Sequence, residues 1–278
     1  MLDVTQTFEK CLLDALSDNY QACFGDEHTD YRDLVQDAAK AAVEHISNCD
    51  ALYHNMEHTI YVTMTGQAIL TGKHQESPIT SEQWTSVTLA LLFHDIGFVR
   101  GICAKDKDGQ FYSGTDGDEL VTLQRGSSDA SLMPYHVCRG QCYAEENYHQ
   151  HEFIDLELIK ECIERTRFPV PDDSRYENTT DFPGLVRAAD LIGQFSDPRY
   201  LQKLNALFQE FEEQGLNGII GYSTPQDMRD NYPTFYHDKV EPYIADGVRF
   251  LNKTDKGQEI IRSMDSNLQT AKEGATSD

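Results

Sequence analysis

Apolar residues recur at helical spacing along nearly the whole of this chain, and strand-like alternation is almost absent. Residues 31–47 place Leu34, Val35, Ala38, Ala42 and Ile46 on one face. Asn55 is expected to cap a helix carrying Ile60, Met64 and Ala68, with Gly72 as its stop. Thr80-Ser-Glu-Gln83 has the capping-box pattern and opens a helix through Trp84, Val87, Leu91 and Leu92 to His94-Asp95, where Gly97 ends it. Further helices are predicted over 151–166, from Pro183 through Leu185, Val186, Ala189 and Ile192, and from Ser196-Pro198 through Leu201, Leu204, Phe208 and Phe211 to Gly215. Two more are expected near 234–252 and 256–272. The rhythm breaks at 98–150, where the glycines of KDKDGQFYSGTDGDE and Pro134 predict a long loop-rich insertion. The expected fold is all-α: one helical bundle over 1–278, with that insertion and a helical C-terminal extension over 196–278.

Charge narrows the range of partners. The formal net charge is −24, and residues 1–50 alone hold eleven Asp and Glu against three Lys and Arg. A field of that sign repels phosphate backbones and anionic lipid, so neither nucleic acid nor a membrane is an expected partner. No apolar run approaches the roughly 20 residues that span a bilayer. The opening MLDVTQTFEKCLLDALSD carries acids instead of a basic segment followed by an apolar one, which argues against a secretory signal. A cytoplasmic location with reduced thiols is the expectation, and the seven cysteines show no framework spacing. Cys138 and Cys142, followed by His149 and His151, are read as coincidence and not a zinc site. DKDGQFYSGTDGDE lacks the ligand spacing of an EF-hand. Nothing in the sequence fixes an oligomeric state.

The chemistry starts at LALLFHDIGF, where His94 and Asp95 stand at the end of an apolar helical stretch. A carboxylate buried there without a partner is costly, so the pattern asks for a cation. His54 and His58 in LYHNMEHT, Asp190 in LVRAADLIGQ, and a histidine group between 136 and 151 can supply further ligands. His58 falls about one turn into its helix and His54 just before the cap, so the two need not share a role. Asp190 lies on a helix face with Val186 and Gly193, flanked by Leu191 and Ile192. Taken singly, each has an ordinary explanation: a lone buried histidine is usually a hydrogen-bonded core residue, and Asp190 can pair with Arg187 or Arg167. Together they form an ordered set of nitrogen and oxygen donors that suits a borderline or hard metal ion.

In order, YHNMEHT, FHD and ADLIG resemble the metal-binding signature of the HD-domain metal-dependent phosphohydrolases, a helical superfamily. The first motif is also similar to that of the class I cyclic-nucleotide phosphodiesterases. The resemblance runs from about residue 50 to about residue 195. It departs from the cyclic-nucleotide enzymes after the HD pair, where IGFVRG stands in place of a further histidine. It implies an HD-type fold and divalent metal ions, two of them, drawn from Mn, Fe, Mg, Co or Zn. It also implies that His58, His94, Asp95 and Asp190 ligate the first ion, that Asp95 bridges to a second, and that His54 protonates the leaving oxygen. Tyr53 and Asn55 are expected to position the loop.

His136 is the first choice to complete the second ion's site, because Arg139, three positions on, lies on the same helical side and can hold a phosphate bidentately. Of His149 and His151, at most one is expected to be a ligand. Arg167 and Arg187 are further candidates for substrate charge. The expected function is therefore a metal-dependent phosphohydrolase acting on a small phosphorylated substrate, with nucleotides and cyclic nucleotides among the candidates. In this scheme a metal-activated water attacks phosphorus, with Asp95 among the catalytic residues and His54 as general acid. The alternatives are an HD-type di-iron oxygenase acting on a small substrate and, third, a non-catalytic metal-containing ligand-binding module.

Overall fold

Asp3 opens the first element: its side chain accepts from Gln6 N and caps α1, Val4–Phe24, whose Leu12, Leu16 and Tyr20 are buried in the core. In the computed structural model, residues 3–115 and 119–275 are described; residues 116–118 of the predicted insertion and 276–278 of the C-terminal extension lie outside them. The sequence pattern named no helix over Val4–Phe24, although burying side chains the size of Leu12, Leu16 and Tyr20 is worth about 1.5–3 kcal/mol each.

The central elements follow in order: α2, Thr29–Ile46; α3, Met56–Glu76; and α4, Ser81–Phe93. The α2 face is the predicted one, with Val35, Ala38, Ala42 and Ile46 buried. The expected Asn55 cap and the Thr80–Gln83 capping box are both present. Helices α3 and α4 are buried nearly all round, so no single apolar stripe describes either of them. Gly72 does not stop α3. The helix runs on to Glu76, and Gly72 instead lets a later helix approach, since a Cβ there would lie 2.1 Å from the Phe250 carbonyl oxygen.

The expectation of a loop-rich 98–150 needs correcting. A short hairpin of β1, Gln110–Tyr112, and β2, Leu120–Thr122, is followed by a regular helix, α5, His136–Tyr148. Then come α6, Leu156–Glu164, capped by Asp155, and α7, Phe182–Ser196, capped by Asp181 with Pro183 in its first turn. The remainder is helical: α8, Tyr200–Glu213; α9, Leu216–Ile220; α10, Pro225–Phe235; α11, Glu241–Leu251; and α12, Asp255–Ala275. The helix predicted near 234–252 is broken at Tyr236–Val240, a widened turn just after Pro233, where the missing N–H interrupts the regular ladder.

The fold is all-α around one continuous core that includes Leu12, Val62, Leu91, Val137, Ile192 and Ala271. Helix α7 packs along α3 and is covered on its other sides by α6, α11 and α12. No helix among the described residues is long and apolar enough to cross a membrane.

Candidate metal centre

Local structure aims each candidate ligand. The Asn55 side chain accepts from Glu57 N at 3.0 Å and His58 N at 3.4 Å, fixing the first turn of α3 so that His58 is buried. His94 is the last residue in helical conformation after α4, and Asp95 turns the chain at φ −107°, ψ 2° into a tight turn over Ile96–Phe98. That turn is held close to α5: a Cβ at Gly97 would lie 1.9 Å from the His136 carbonyl oxygen, so only glycine fits. Packing of α7 along α3 then brings in Asp190.

The four residues converge. His58 Nε2 lies 3.3 Å from Asp95 Oδ2 and 3.4 Å from Asp190 Oδ1, and His94 Nε2 lies 3.2 Å and 3.9 Å from the same oxygens. The two Nε2 atoms are 3.5 Å apart. His94 Nδ1 donates to the Leu91 carbonyl at 2.8 Å, which leaves its Nε2 lone pair turned into the cluster. Asp95 Oδ2 is buried and, despite its two imidazole neighbours, makes no well-directed hydrogen bond.

Acceptor atoms thus face one another with nothing positive between them but the histidine rings. Burial opposes charge on His58, yet the Asp190 and Asp95 carboxylates outweigh it and raise the ring to about 10. His94 is raised in the same way, mainly by Asp95. Burial would raise Asp95, but His94 and His58 outweigh it and hold the carboxyl well below its usual range. Ligand atoms of His58, His94 and Asp190 all lie within 4.8 Å of one another, a set of imidazole nitrogens and carboxylate oxygen that can hold a metal ion. The donor chemistry and the orphaned Asp95 oxygen both fit a divalent cation.

Two further histidines flank the cluster. His136, first residue of α5, donates from Nδ1 to the Met133 carbonyl at 2.6 Å and places Nε2 3.7 Å from Asp95 Oδ1, the oxygen turned away from His58 and His94. Burial lowers His136 despite Asp95, which favours the neutral form that binds metal. His54 Nδ1 sits 2.5 Å from Glu210 Oε2, and the other oxygen of Glu210 accepts from Tyr53 N at 2.6 Å and His54 N at 3.2 Å. Burial alone would raise Glu210, but the His54 ring and these donors hold it below the usual carboxylate range. The side chains of His54, His136 and Asp190 keep 17%, 15% and 19% exposure, against 5% and 1% for His58 and His94. The first three therefore mark the more open side of the cluster.

The arginine expectations are corrected. Arg139 is fully buried on the side of α5 away from solvent, and it donates to the Gly97, Val99 and Tyr112 carbonyls and to both oxygens of Asp106. It ties the 97–112 segment to α5, and no donor group of its guanidinium is left for a phosphate. Arg187 is buried as well. It donates to the Tyr176 and Asn178 carbonyls, lies over the Tyr243 ring at 4.3 Å, and is lowered to about 10 by burial. Arg167 is engaged by Glu164 and Cys138. Neither of these two pairs with Asp190. His149 is exposed with Nδ1 on its own helix's Glu145 carbonyl, and His151 packs against Phe153. All seven cysteines are free.

Sequence reasoning missed Glu210. It lies on α8, beyond the recognised motifs, and its only local signal is an acid on the buried face of LQKLNALFQEF. It also missed Phe98, which reads in sequence as one more apolar residue after the HD pair.

Fold and site together define an all-α protein with a candidate metal centre of His58, His94 and Asp190. Over residues 2–273 the chain matches the Npun_R2479-like family, and it belongs to that family. No curated protein matches it.

Proposed function

We propose that this chain is a metal-dependent phosphohydrolase of the HD-domain type, acting on a small phosphoester. The observation that carries the reading is the His54–Glu210 pair standing beside the cluster of His58, His94, Asp95 and Asp190. A purely structural metal cage has no use for a partly exposed histidine backed by a buried carboxylate. On this reading His58, His94, Asp95 and Asp190 would hold one divalent ion, and Asp95 together with His136 would hold a second. Ions bound there would supply a water of lowered pKa and neutralise charge on the phosphoryl oxygens.

The protein's own residues supply the rest. Glu210 accepts from Nδ1 of His54, so Nε2 is the atom left to give a proton to the leaving oxygen. The same carboxylate stabilises the imidazolium that must exist before transfer. His94 is held in one tautomer by Leu91, and His136 in one by Met133, so neither ring has to reorganise.

The test is metal analysis of the purified full chain, followed by assays with Mn2+, Fe2+ or Co2+ on phosphomonoesters, phosphodiesters, cyclic nucleotides and phosphonates. Phosphate or phosphomonoester release is expected, and Asp95→Ala is expected to abolish both metal retention and turnover. Full metal content with full activity in Asp95→Ala refutes the scheme. Iron-bound protein that consumes oxygen and cleaves no phosphoester replaces it with an oxygenase.

A further inference from the structure

Phe98 is fully buried, yet both of its stacking partners are histidines of the proposed reaction. Its ring stacks on His54 at 4.7 Å and 12° and on His136 at 4.5 Å and 21°. Three separate elements meet in this stack: the loop before α3, the turn after Asp95, and the start of α5. The Phe98 backbone is tied to the cluster too, since its N–H donates to the Asp95 carbonyl at 3.0 Å.

Each imidazole ring is hydrogen-bonded through one atom, Nδ1 of His54 on Glu210 and Nδ1 of His136 on Met133. One hydrogen bond fixes a point but not a plane, and the histidine χ2 well is broad. A flat ring against each face removes that remaining freedom. A leucine would fill the space without setting either plane.

We propose that Phe98 is a positioning residue whose ring sets the planes of His54 and His136 together, fixing the proton donor relative to the second-ion ligand. The proposal rests on the phosphohydrolase reading. In that reaction the oxygen of water bonds to phosphorus and its proton passes to solvent, the ester P–O bond breaks, and the leaving oxygen takes the proton from His54, which solvent then restores.

The experiment compares wild type with Phe98→Leu, Phe98→Met and Phe98→Tyr at saturating Mn2+, using an alkyl phosphoester and its nitrophenyl analogue. The alkoxide needs a proton to leave and the nitrophenolate does not. Phe98→Leu and Phe98→Met are expected to lower kcat on the alkyl ester by about 10²-fold, the lower end of what general acid catalysis contributes, with little change on the nitrophenyl ester. Phe98→Tyr, which keeps the ring, is expected to recover most of that loss. Equilibrium Mn2+ titration is expected to show weakened binding of the second equivalent in the Leu and Met variants alone. Equal loss on both esters, or no loss with unchanged Mn2+ binding, overturns the proposal. Two non-aromatic replacements are used so that a folding failure of one, seen in its melting curve, leaves the other to decide. If wild type cleaves neither ester, the phosphohydrolase reading falls, and the Mn2+ titration alone decides whether Phe98 positions His136.

Discussion

Glu210→Gln isolates the part of the site that lies outside every recognised motif. The carboxylate is 1% exposed and receives three N–H groups: from Tyr53 N, His54 N and His54 Nδ1. Glutamine keeps the shape, and its amide oxygen can still accept from the two backbone groups. Its NH2 must then face Nδ1 of His54, where a carboxylate oxygen stood 2.5 Å away. The lost interaction is one hydrogen bond to a charged group, about 1.5–3 kcal/mol, and it is lost chiefly when His54 is protonated. At about 1.4 kcal/mol per tenfold, kcat on a substrate with an alkoxide leaving group falls about 10- to 100-fold. Metal content is unchanged, because Glu210 touches none of the four cluster residues. A double-mutant cycle sharpens the result: once His54 is replaced by Gln, Glu210→Gln costs little more, since the two act as a unit. Activity in Glu210→Gln close to wild type, or loss of metal in place of rate, refutes the reasoning that Glu210 works through His54.

Three further outcomes follow from the geometry. Arg139→Lys removes a bidentate contact to Asp106 and leaves carbonyls of Gly97, Val99 and Tyr112 short of donors, so unfolding is expected to be easier by about 3–5 kcal/mol, as when a buried pair is broken. A raised KM with an unchanged melting temperature would instead restore Arg139 as a substrate ligand. Glu210 and Glu164 are both held below the usual carboxylate range, so they stabilise the fold above their unfolded values of about 4.3 and lose that contribution as pH falls through the lower folded values. The melting temperature is therefore expected to drop below about pH 4.3, less steeply in Glu164→Gln; an equal drop in that variant counts against it. Asp95→Asn is expected to weaken metal binding by more than the roughly 10–100-fold that loss of an outer partner costs, measured by competition with a chelator. Unchanged affinity would remove Asp95 from the ligand set.

Where sequence was a good guide, the reason was short-range physics. The Asn55 cap, the Thr80–Gln83 box and Pro183 are decided within one helical turn, and all three are where their residue types put them. His58, His94 and Asp190 were legible because nitrogen and oxygen donors set in apolar helices have few alternatives. What failed was decided by packing. Gly72 looks like a helix stop until Phe250 is seen against it. Arg139 looks like a phosphate ligand until the 99–112 segment folds back onto it, because the same five donors that suit a phosphate also suit three carbonyls and a carboxylate. The α5 helix was hidden within a segment whose glycines and Asp residues belong to the hairpin before it. Glu210 reaches His54 across 156 positions of sequence, a separation no local pattern encodes.

Charge gives the two-ion form of the proposal its strongest support. Asp95 and Asp190 bring two negative charges to the cluster, which a single divalent ion only cancels. The chain as a whole carries −24, so a phosphoester approaching a neutral centre would still meet a repelling field. The arginines that sequence offered as compensation are committed elsewhere: Arg139 to Asp106 and carbonyls, Arg167 to Glu164, and Arg187 to carbonyls behind Tyr243. The His54–Glu210 pair adds no net charge when the ring is protonated. A second divalent ion, held by Asp95 and His136, would turn the centre positive without another cationic side chain. On that accounting bound ions would be the anion-binding group as well as the source of the nucleophile, and substrate affinity should track metal occupancy more closely than it tracks any arginine.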